Sequence, residues 1–252
     1  MINVALVQTK ITSTTENFQR IMHYLDEAIK QGVDFVVFPE FALQYYTLPQ
    51  DQPTLELLLP FFEKIGQKCR EGKLYVIVPA VIREDNKRFN RSFLINKDGN
   101  IQYVYTKQCL FWKEKEMAKA SQGIGNSVIE TDFGKIGILQ CYDIYSPDRL
   151  SRAKPLVENG AKVIFVPSDS VHYDYPGKEN EEDVRDAPLI IAKKFGIFVA
   201  VCDTFRPKPV NADPTDLDNE YSYCFSRIVD PNGNIISSIK DKEGMITAKI
   251  EF

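Results

Sequence analysis

A strand, helix, strand pattern occurs in both halves of the chain, and it constrains the fold more than any other feature. INVALVQ (residues 2–8) predicts a strand, Ser13 and Glu16 form a capping box, and the following helical pattern ends at Gly32. DFVVFPE then predicts a strand buried on both faces. Two strands joined by a helix form a parallel pair with a right-handed crossover. The chain is therefore predicted to be an α/β protein.

The rest of the chain continues this pattern and adds hairpins. Further strands are predicted in LYVIVPAVI, KIGILQC, AKVIFVPS, IFVAVCD and GMITAKIEF. Helices are predicted around residues 53–71 and 183–195 and in SPDRLSRAKPLVENG. Antiparallel hairpins with Asp-Gly or Asn-Gly turn signals join RFNRSFLIN to IQYVYTK and YCFSRIVD to IISSIKD. Because no linker interrupts these elements, residues 1–252 are predicted to form one domain.

Composition argues against several classes of partner. The 252 residues carry a net charge of −4, with no basic stripe for nucleic acid and no apolar run near the roughly 20 residues that cross a bilayer. The N-terminus has no secretory signal pattern. Five widely spaced cysteines and two histidines match no metal-binding spacing. We therefore predict a cytoplasmic protein with free thiols, no metal or other cofactor, and neither nucleic acid nor membrane as partner.

One cysteine stands at a corner between a predicted strand and a predicted helix. In GILQCYDIYSPDRL (residues 137–150), Cys141 follows the strand, and Ser146 with Pro147 is interpreted as the N-cap and first residue of the helix. A thiol at such a corner lies near backbone N–H donors, and a helix N-terminus is expected to lower its pKa. Cys141 is thus a candidate nucleophile, whereas Cys69, Cys202 and Cys224 are interpreted as buried apolar residues.

A thiol nucleophile needs a base, and the sequence offers two. Glu40 also follows a predicted strand, and the apolar residues before it would desolvate its carboxyl group and raise its pKa. His172 follows the strand that ends in FVPS, whereas His23 lies within the first helix, where a partly buried structural role is predicted. On these residues alone the choice between Glu40 and His172 stays open.

Three stretches together resemble the nitrilase superfamily of carbon–nitrogen hydrolases. They are VVFPEFAL, YTKQCLF and GILQCYD, in this order and among the predicted strands. VALVQ, RFNRSFLINKDGN, GAKVIFVPS and VDPNGNII extend the resemblance over almost the whole chain. The resemblance implies an αββα sandwich with mixed sheets and outer helices, in a protein that forms a homodimer and hydrolyses a non-peptide carbon–nitrogen bond.

The resemblance also implies a catalytic triad. Glu40 would be the general base, Lys107 would stabilise the oxyanion, and Cys141 would form a thioester, assisted by the backbone N–H of Tyr142. A second glutamate would be Glu114 or Glu116, with Glu114 favoured. Asp143 is predicted to order the turn through backbone N–H groups. The residues predicted to contact substrate are Tyr142, Tyr46, Ser168 and His172.

The substrate is left open by the resemblance. An amide, an ω-amide or an N-carbamoyl compound is favoured over a nitrile, and acyl transfer is an alternative reaction. Two other classes remain: an inactive binding scaffold, and a Cys–His hydrolase or glutamine amidotransferase that uses His172. An anionic substrate would need a cation, for which the sequence offers Arg149, Arg185 and Arg206.

Several positions depart from the family pattern. Tyr45 and the pair Cys224 and Phe225 stand where glycines are usual, and Asp203 stands where asparagine is frequent. PLIIAKKFG replaces a segment that usually carries an Arg-Ala pair and a glutamate. The polar segments SVHYDYPGKENEED and DTFRPKPVNADPTDLDNEY are interpreted either as active-site lids or as plain surface loops.

Overall fold

The computed structural model describes most of the chain. The described residues are 1–48, 50–111, 114–115, 122–123, 128–172, 181–207 and 221–251, with only the backbone described at residues 172 and 181. The predicted Glu116 lies outside them.

The first of two six-stranded mixed sheets comes mainly from the N-terminal half. Its strand order is β14-β1-β2-β3-β4-β5. The strands are β1 (Ile2–Gln8), β2 (Phe35–Val37), β3 (Tyr75–Glu84), β4 (Lys87–Ile95), β5 (Ile101–Thr106) and β14 (Gly244–Ile250). Helices α1 (Thr14–Lys30) and α2 (Leu55–Gly72) cover its outer face. The parallel pairing of β1 with β2 confirms the predicted crossover unit.

The second sheet comes from the C-terminal half, in the order β13-β12-β10-β8-β7-β6. Its strands are β6 (Ile129–Thr131), β7 (Gly134–Ile138), β8 (Val163–Pro167), β10 (Phe198–Cys202), β12 (Phe225–Val229) and β13 (Ile235–Lys240). The helices of this half are α3 (Tyr142–Tyr145), α4 (Arg149–Glu158) and α5 (Glu181–Phe195). Because α4 and α5 pack on this sheet, the four layers are α, β, β, α, as predicted.

Residue alternation along the strands builds two cores at once. In β1, Val4 and Leu6 belong to the core between the sheets, whereas Ala5 and Val7 belong to the core under α1 and α2. Successive strand residues point to opposite faces, so a strand buried on both sides is apolar throughout. The rings of Phe35 in β2 and Phe165 in β8 stack 5.2 Å apart between the sheets.

The capping predictions have mixed outcomes. The capping box of Ser13 and Glu16 is present at the start of α1. The prediction for Ser146 and Pro147 is wrong, because α3 forms directly after Cys141 and α4 begins only at Arg149. Ser146 instead follows the last residue of α3, and its buried hydroxyl has no hydrogen-bond partner within the described structure.

The described ends of the two polar segments pair with each other. Strand β9 (Val171–His172) is antiparallel to β11 (Tyr221–Ser222), in a two-stranded ribbon separate from both sheets. Most residues of both segments lie outside the described part of the chain, so their interpretation as lids stays a prediction.

The described residues contain neither a membrane-spanning helix nor a metal-binding cluster. No described helix is long and apolar enough to cross a membrane. Within the same residues, no group of three or more His, Cys, Asp or Glu side chains could hold a metal ion.

Arg227 in β12 is a fully buried cation, and its partners explain how α5 accommodates a proline. Pro188 lacks the N–H that would bond to the Val184 carbonyl in a regular helix. The Arg227 guanidinium donates to the Val184 carbonyl from Nη2, and the same nitrogen lies 3.3 Å from the Arg185 carbonyl oxygen. Strand β12 thus supplies a donor that α5 lacks.

This arrangement predicts energetic coupling between Arg227 and Pro188. We expect Arg227→Met to lower the free energy of unfolding by about 1–3 kcal/mol, because the buried Val184 carbonyl loses its donor. In a Pro188→Ala background, which restores the helical N–H, the same change should cost at least about 0.5 kcal/mol less. Urea unfolding of the four proteins measures both costs, and equal costs would contradict the coupling.

Candidate active site

Strand ends from both sheets meet where the candidate residues lie. Glu40 follows β2, Lys107 follows β5 and Cys141 follows β7. Strand β3 is parallel to β2, and β4 is antiparallel to both β3 and β5, so β2 and β5 end at the same edge of the first sheet. The hydrogen bonds below bring all three side chains together at this edge.

Cys141 occupies a strained turn between β7 and α3. Its backbone has φ 46° and ψ −110°, outside the regions that a residue with a side chain usually adopts, at a typical cost of about 1–3 kcal/mol. The turn is held by the Cys141 N–H, which donates to the Pro167 carbonyl at 2.9 Å. The thiol donates to the Asp169 carbonyl at 3.4 Å. Tyr142 is the first helical residue, where a backbone N–H has no intrahelical partner.

Glu40 is a buried carboxylate surrounded by donors. Its Oε1 accepts from Lys107 Nζ at 2.7 Å, Asn90 Nδ2 at 2.7 Å and Gln140 Nε2 at 3.3 Å. Its Oε2 accepts from the Asp169 N–H at 3.1 Å. Burial is the main cause that raises the Glu40 pKa to about 7, while the positive charge of Lys107 opposes that rise. The predicted desolvation of Glu40 is therefore present.

Lys107 lies between two carboxylates. Its Nζ is 2.7 Å from Glu40 Oε1 and 2.6 Å from Glu114 Oε2, and its side chain is about as buried as that of Glu40. Burial by itself would lower the Lys107 pKa, but Glu114 and Glu40 outweigh it and raise the pKa well above the usual value. Lys107 is thus a buried, permanently charged ammonium group.

The expected lowering of the Cys141 pKa by the helix N-terminus is wrong, because the net shift is upward. Burial, followed by the negative charge of Glu40, raises the pKa of the Cys141 thiol well above its usual value, although Lys107 opposes this. Helix α3 has only four residues and cannot offset the desolvation. The resting group is therefore a thiol, and it needs a base to become a nucleophile.

Two amide side chains that the sequence analysis did not select complete the polar cluster. Asn90 in β4 donates to Glu114 Oε1 at 2.9 Å as well as to Glu40. Gln140 donates to Asn90 Oδ1 at 2.5 Å and accepts from Ser92 Oγ at 2.8 Å. The alternation in RFNRSF, which points Asn90 and Ser92 to the same face of β4, was the available signal. This chain of donors fixes the orientation of both carboxylates.

Comparison with known proteins assigns the chain to a family. The family model described as carbon-nitrogen hydrolase matches residues 3–252. The chain belongs to the carbon–nitrogen hydrolase family. Its resemblance to the nitrilase superfamily is thereby confirmed, and the protein is a carbon–nitrogen hydrolase.

Relatives of this carbon–nitrogen hydrolase, and solved structures similar to it, align with almost the whole chain. An omega-amidase of Saccharomyces cerevisiae is 24% identical and covers 99% of this chain and 87% of its own. A deaminated glutathione amidase of Synechocystis is 25% identical, with 98% and 90% covered. The solved amidase of Nesterenkonia, in a cysteine-to-alanine mutant with butyramide, has a TM-score of 0.82 at 18% identity, with 99% and 90% covered.

The residues predicted to contact substrate have different surroundings in this hydrolase. The Tyr46 hydroxyl donates to Glu114 Oε1 at 3.2 Å. Ser168 is fully buried; its carbonyl accepts from the Glu40 N–H, and its hydroxyl lies 3.2 Å from the Tyr145 hydroxyl. The backbone of His172 pairs with Tyr221, and its side chain lies outside the described structure. Tyr46 thus contacts Glu114 and Ser168 contacts the backbone of Glu40, and substrate contact by these residues stays a prediction.

The three candidate arginines differ in their ion-pair partners and in how close they lie to the site. Arg149 pairs with Asp183 at 2.9 Å and Arg185 pairs with Asp186 at 2.7 Å. Arg206 Nη2 lies 2.6 Å from Asp169 Oδ2, and the backbone of Asp169 contacts both Glu40 and Cys141. Arg206 is thus the candidate cation that adjoins the site.

The other cysteines and His23 can also be placed. All five cysteines are free, and Cys69, Cys202 and Cys224 are buried as predicted. The predicted partial burial of His23 is wrong, because its side chain is 66% exposed on α1, where it lies 3.4 Å from Glu27. A helix interior position did not imply burial there, since His23 lies on the outer face of α1.

The departures from the family pattern surround the site without entering the cluster. Cys224 has φ 47°, a conformation that glycine adopts more readily. Asp203 accepts from the N–H groups of Ser170, Thr204 and Phe225, at distances from 2.9 to 3.1 Å. A carboxylate suits this position because it accepts at both oxygens. The Tyr45 ring packs edge-on against Phe41 at 4.6 Å, beside the backbone that carries Glu40.

Proposed function

We propose that this chain hydrolyses the carbon–nitrogen bond of a small amide through a Cys141 thioester. The observation that carries the proposal is the position of one buried carboxylate, Glu40, which binds the Lys107 ammonium and the N–H of Asp169, the residue whose carbonyl accepts from the Cys141 thiol. A thiol whose pKa is raised needs a nearby base, and a carboxylate whose pKa is about 7 can accept and return a proton near neutral pH. Glu40 thus takes the role that the His172 alternative would give to an imidazole.

The proposed reaction has two halves. In the first, Glu40 takes the thiol proton while Cys141 Sγ bonds to the amide carbon, and Lys107 with the Tyr142 N–H stabilises the oxygen anion. The carbon–nitrogen bond then breaks, and Glu40 returns the proton to the leaving nitrogen, which departs as ammonia or an amine. In the second half, Glu40 takes a proton from water as it attacks the thioester. The carbon–sulfur bond breaks, a carboxylic acid leaves, and Glu40 returns its proton to Cys141 Sγ, which restores the thiol.

Glu114 supports this chemistry by holding Lys107. Its Oε2 accepts from Lys107 Nζ and, at 2.9 Å, from the Phe111 N–H. An ammonium group fixed by two carboxylates keeps its charge and needs little rearrangement when an oxygen anion forms nearby. We assign Glu114 the role of the second glutamate.

For the substrate, we propose a carboxamide, with the ω-amide of a dicarboxylate as the first candidate class. The omega-amidase and other amidase relatives support this class. So does Arg206, which pairs with Asp169, the residue whose carbonyl accepts from the Cys141 thiol. Family membership alone does not fix a substrate, because one fold hosts many specificities. N-carbamoyl amines, simple amides and nitriles are therefore the comparison set.

The test is a substrate panel with purified protein. Ammonia release is measured from ω-amides, simple amides, N-carbamoyl amines and nitriles, with the acid product quantified in parallel. We expect equal amounts of ammonia and acid, fastest from ω-amides. Added hydroxylamine should divert the acyl group to a hydroxamate, as a thioester requires. Absence of release from every amide would overturn the proposal and favour the binding scaffold, whereas transfer without hydrolysis would favour the acyltransferase.

A pH dependence follows from the proposed role of Glu40. Its pKa is raised to about 7, so the carboxyl group is increasingly protonated as the pH falls below that value and can no longer take the thiol proton. We expect kcat/KM for an uncharged amide to decrease tenfold per pH unit on the acidic side of about pH 7. Circular dichroism at each pH controls for unfolding. Rates that stay constant between about pH 5 and about pH 8 would contradict Glu40 as the base.

Three further assignments are part of the proposal. We propose that residues 1–252 act as one catalytic domain, since the first sheet provides Glu40 and Lys107 and the second provides Cys141. A homodimer and a cytoplasmic location remain predictions. Light scattering at micromolar concentration tests the predicted homodimer, and a monomer would contradict it.

A further inference from the structure

Asp143 is a fully buried carboxylate that the proposed reaction does not use. It lies in α3, two residues after Cys141. Its two oxygens accept four hydrogen bonds from described groups, and these donors come from two separate stretches of chain. Such a carboxylate can fix the position of one stretch relative to the other.

One oxygen binds the backbone just after Lys107. Asp143 Oδ1 accepts from the Cys109 N–H at 2.6 Å and from the Gln108 N–H at 3.2 Å. These N–H groups belong to the segment that leaves β5, in the first sheet. They restrain the backbone on the C-terminal side of Lys107.

The other oxygen connects the two stretches directly. Asp143 Oδ2 accepts from the Gln140 N–H at 2.9 Å, immediately before the nucleophile in the second sheet. It also accepts from the Tyr105 hydroxyl at 2.8 Å, and Tyr105 lies in β5, two residues before Lys107. Lys107 is therefore restrained on both of its sides by the side chain that also holds the Cys141 turn.

We propose that Asp143 is a positioning residue that holds Lys107 at a fixed distance from Cys141 across the two sheets. The effect on turnover rests on the proposed function, whereas the effect on the Cys141 thiol does not. A carboxylate is required because all four groups are donors. An asparagine would place an NH₂ group against either the Gln140 N–H or the pair from Gln108 and Cys109.

The first test separates kcat from KM. We expect Asp143→Asn to lower kcat for an amide by about 10²-fold, the loss typical of a misplacement near 1 Å, with little change in KM. Tyr105→Phe removes one of the four bonds and should give a smaller loss in the same direction. Asp34→Asn is the matched control, because Asp34 accepts a backbone N–H from Asn3 at the opposite edge of the first sheet.

The second test does not depend on turnover. The charges of Glu40 and Glu114 raise the pKa of the Cys141 thiol, whereas that of Lys107, bonded to both carboxylates, lowers it and so favours the thiolate. Alkylation of Cys141 by iodoacetamide, followed across pH by peptide mass spectrometry, should therefore shift to higher pH in Asp143→Asn. If loss of the negative charge of Asp143 acted directly on the thiol, alkylation of Cys141 would instead shift to lower pH. In a Lys107→Met background, Asp143→Asn should produce no further alkaline shift.

The outcomes distinguish the two proposals. If the wild type releases no ammonia from any amide, the proposed function fails, and the alkylation shift still tests Asp143. If kcat and the alkylation profile of Asp143→Asn match those of the wild type, the positioning role is overturned. An equal shift with and without Lys107 also overturns it. Should Asp143→Asn not fold, the same comparisons are made with Tyr105→Phe, and an unchanged alkylation profile there rejects the role.

Discussion

Cys141→Ala is expected to release no measurable ammonia from amides that the wild type hydrolyses. Loss of a covalent nucleophile commonly costs about 10⁶-fold in kcat, because no other group can form the intermediate. The variant should still fold. Alanine removes only the buried sulfur and keeps the turn held by the Cys141 N–H and the Pro167 carbonyl. Steady-state ammonia release, with thermal unfolding in parallel, measures both effects.

The matched control for this loss is Cys202→Ala. Cys202 is also a fully buried thiol. Its Sγ lies 3.2 Å from the Val7 carbonyl oxygen and 3.1 Å from the Val37 carbonyl oxygen, where β10 packs on the first sheet. Its removal should cost stability through lost packing while kcat per folded molecule is retained. If Cys141→Ala kept more than about one part in 10³ of wild-type turnover, a thiol nucleophile at this position would be excluded.

Lys107→Met is expected to lower both stability and turnover. Loss of the ammonium leaves the carboxylates of Glu40 and Glu114 buried together without their shared counter-charge. Breaking a buried pair from one side typically costs about 3–5 kcal/mol in the free energy of unfolding. Loss of an oxyanion donor typically costs about 10²–10³-fold in kcat. Urea unfolding and ammonia release measure the two losses separately.

Adding Glu114→Gln to Lys107→Met separates the structural loss from the catalytic loss. The second change removes one of the two uncompensated charges, so we expect at least about 1 kcal/mol of the lost stability to return. Turnover should remain as low as in Lys107→Met, because no ammonium faces the reacting oxygen. Recovery of turnover along with stability would show that Lys107 acts on the fold alone.

The strands and helices were predictable because their signals are local. The apolar alternation in INVALVQ and the capping box at Ser13 depend on neighbours within a few residues, and both are present in the fold. The N-cap at Ser146 was mispredicted by the same local rules. The contact of the Cys141 turn with the end of β8 decides where α3 begins, and the sequence around Ser146 carries no trace of that contact.

The site was predictable in its residue types and less so in its electrostatics. The strand pattern placed Glu40 and Cys141 after strands, the family resemblance added Lys107, and these three strand ends do meet. The sign of the Cys141 pKa shift was missed because burial by the opposite sheet outweighs a local helix end. Asn90 was missed because its role exists only where β4 passes between two carboxylates from distant parts of the chain.

The division of the site between two sheets makes its chemistry sensitive to how those sheets slide on each other. Glu40 and Lys107 move with the first sheet and Cys141 with the second, so a small shear between the layers changes the distance between base and nucleophile. The stacked rings of Phe35 and Phe165 resist that shear. Repacking this apolar layer should therefore slow turnover well before it unfolds the protein, because displacements near 1 Å already cost about 10²-fold in rate. The rate of a polar reaction is then governed partly by an apolar contact that contributes no polar group to it.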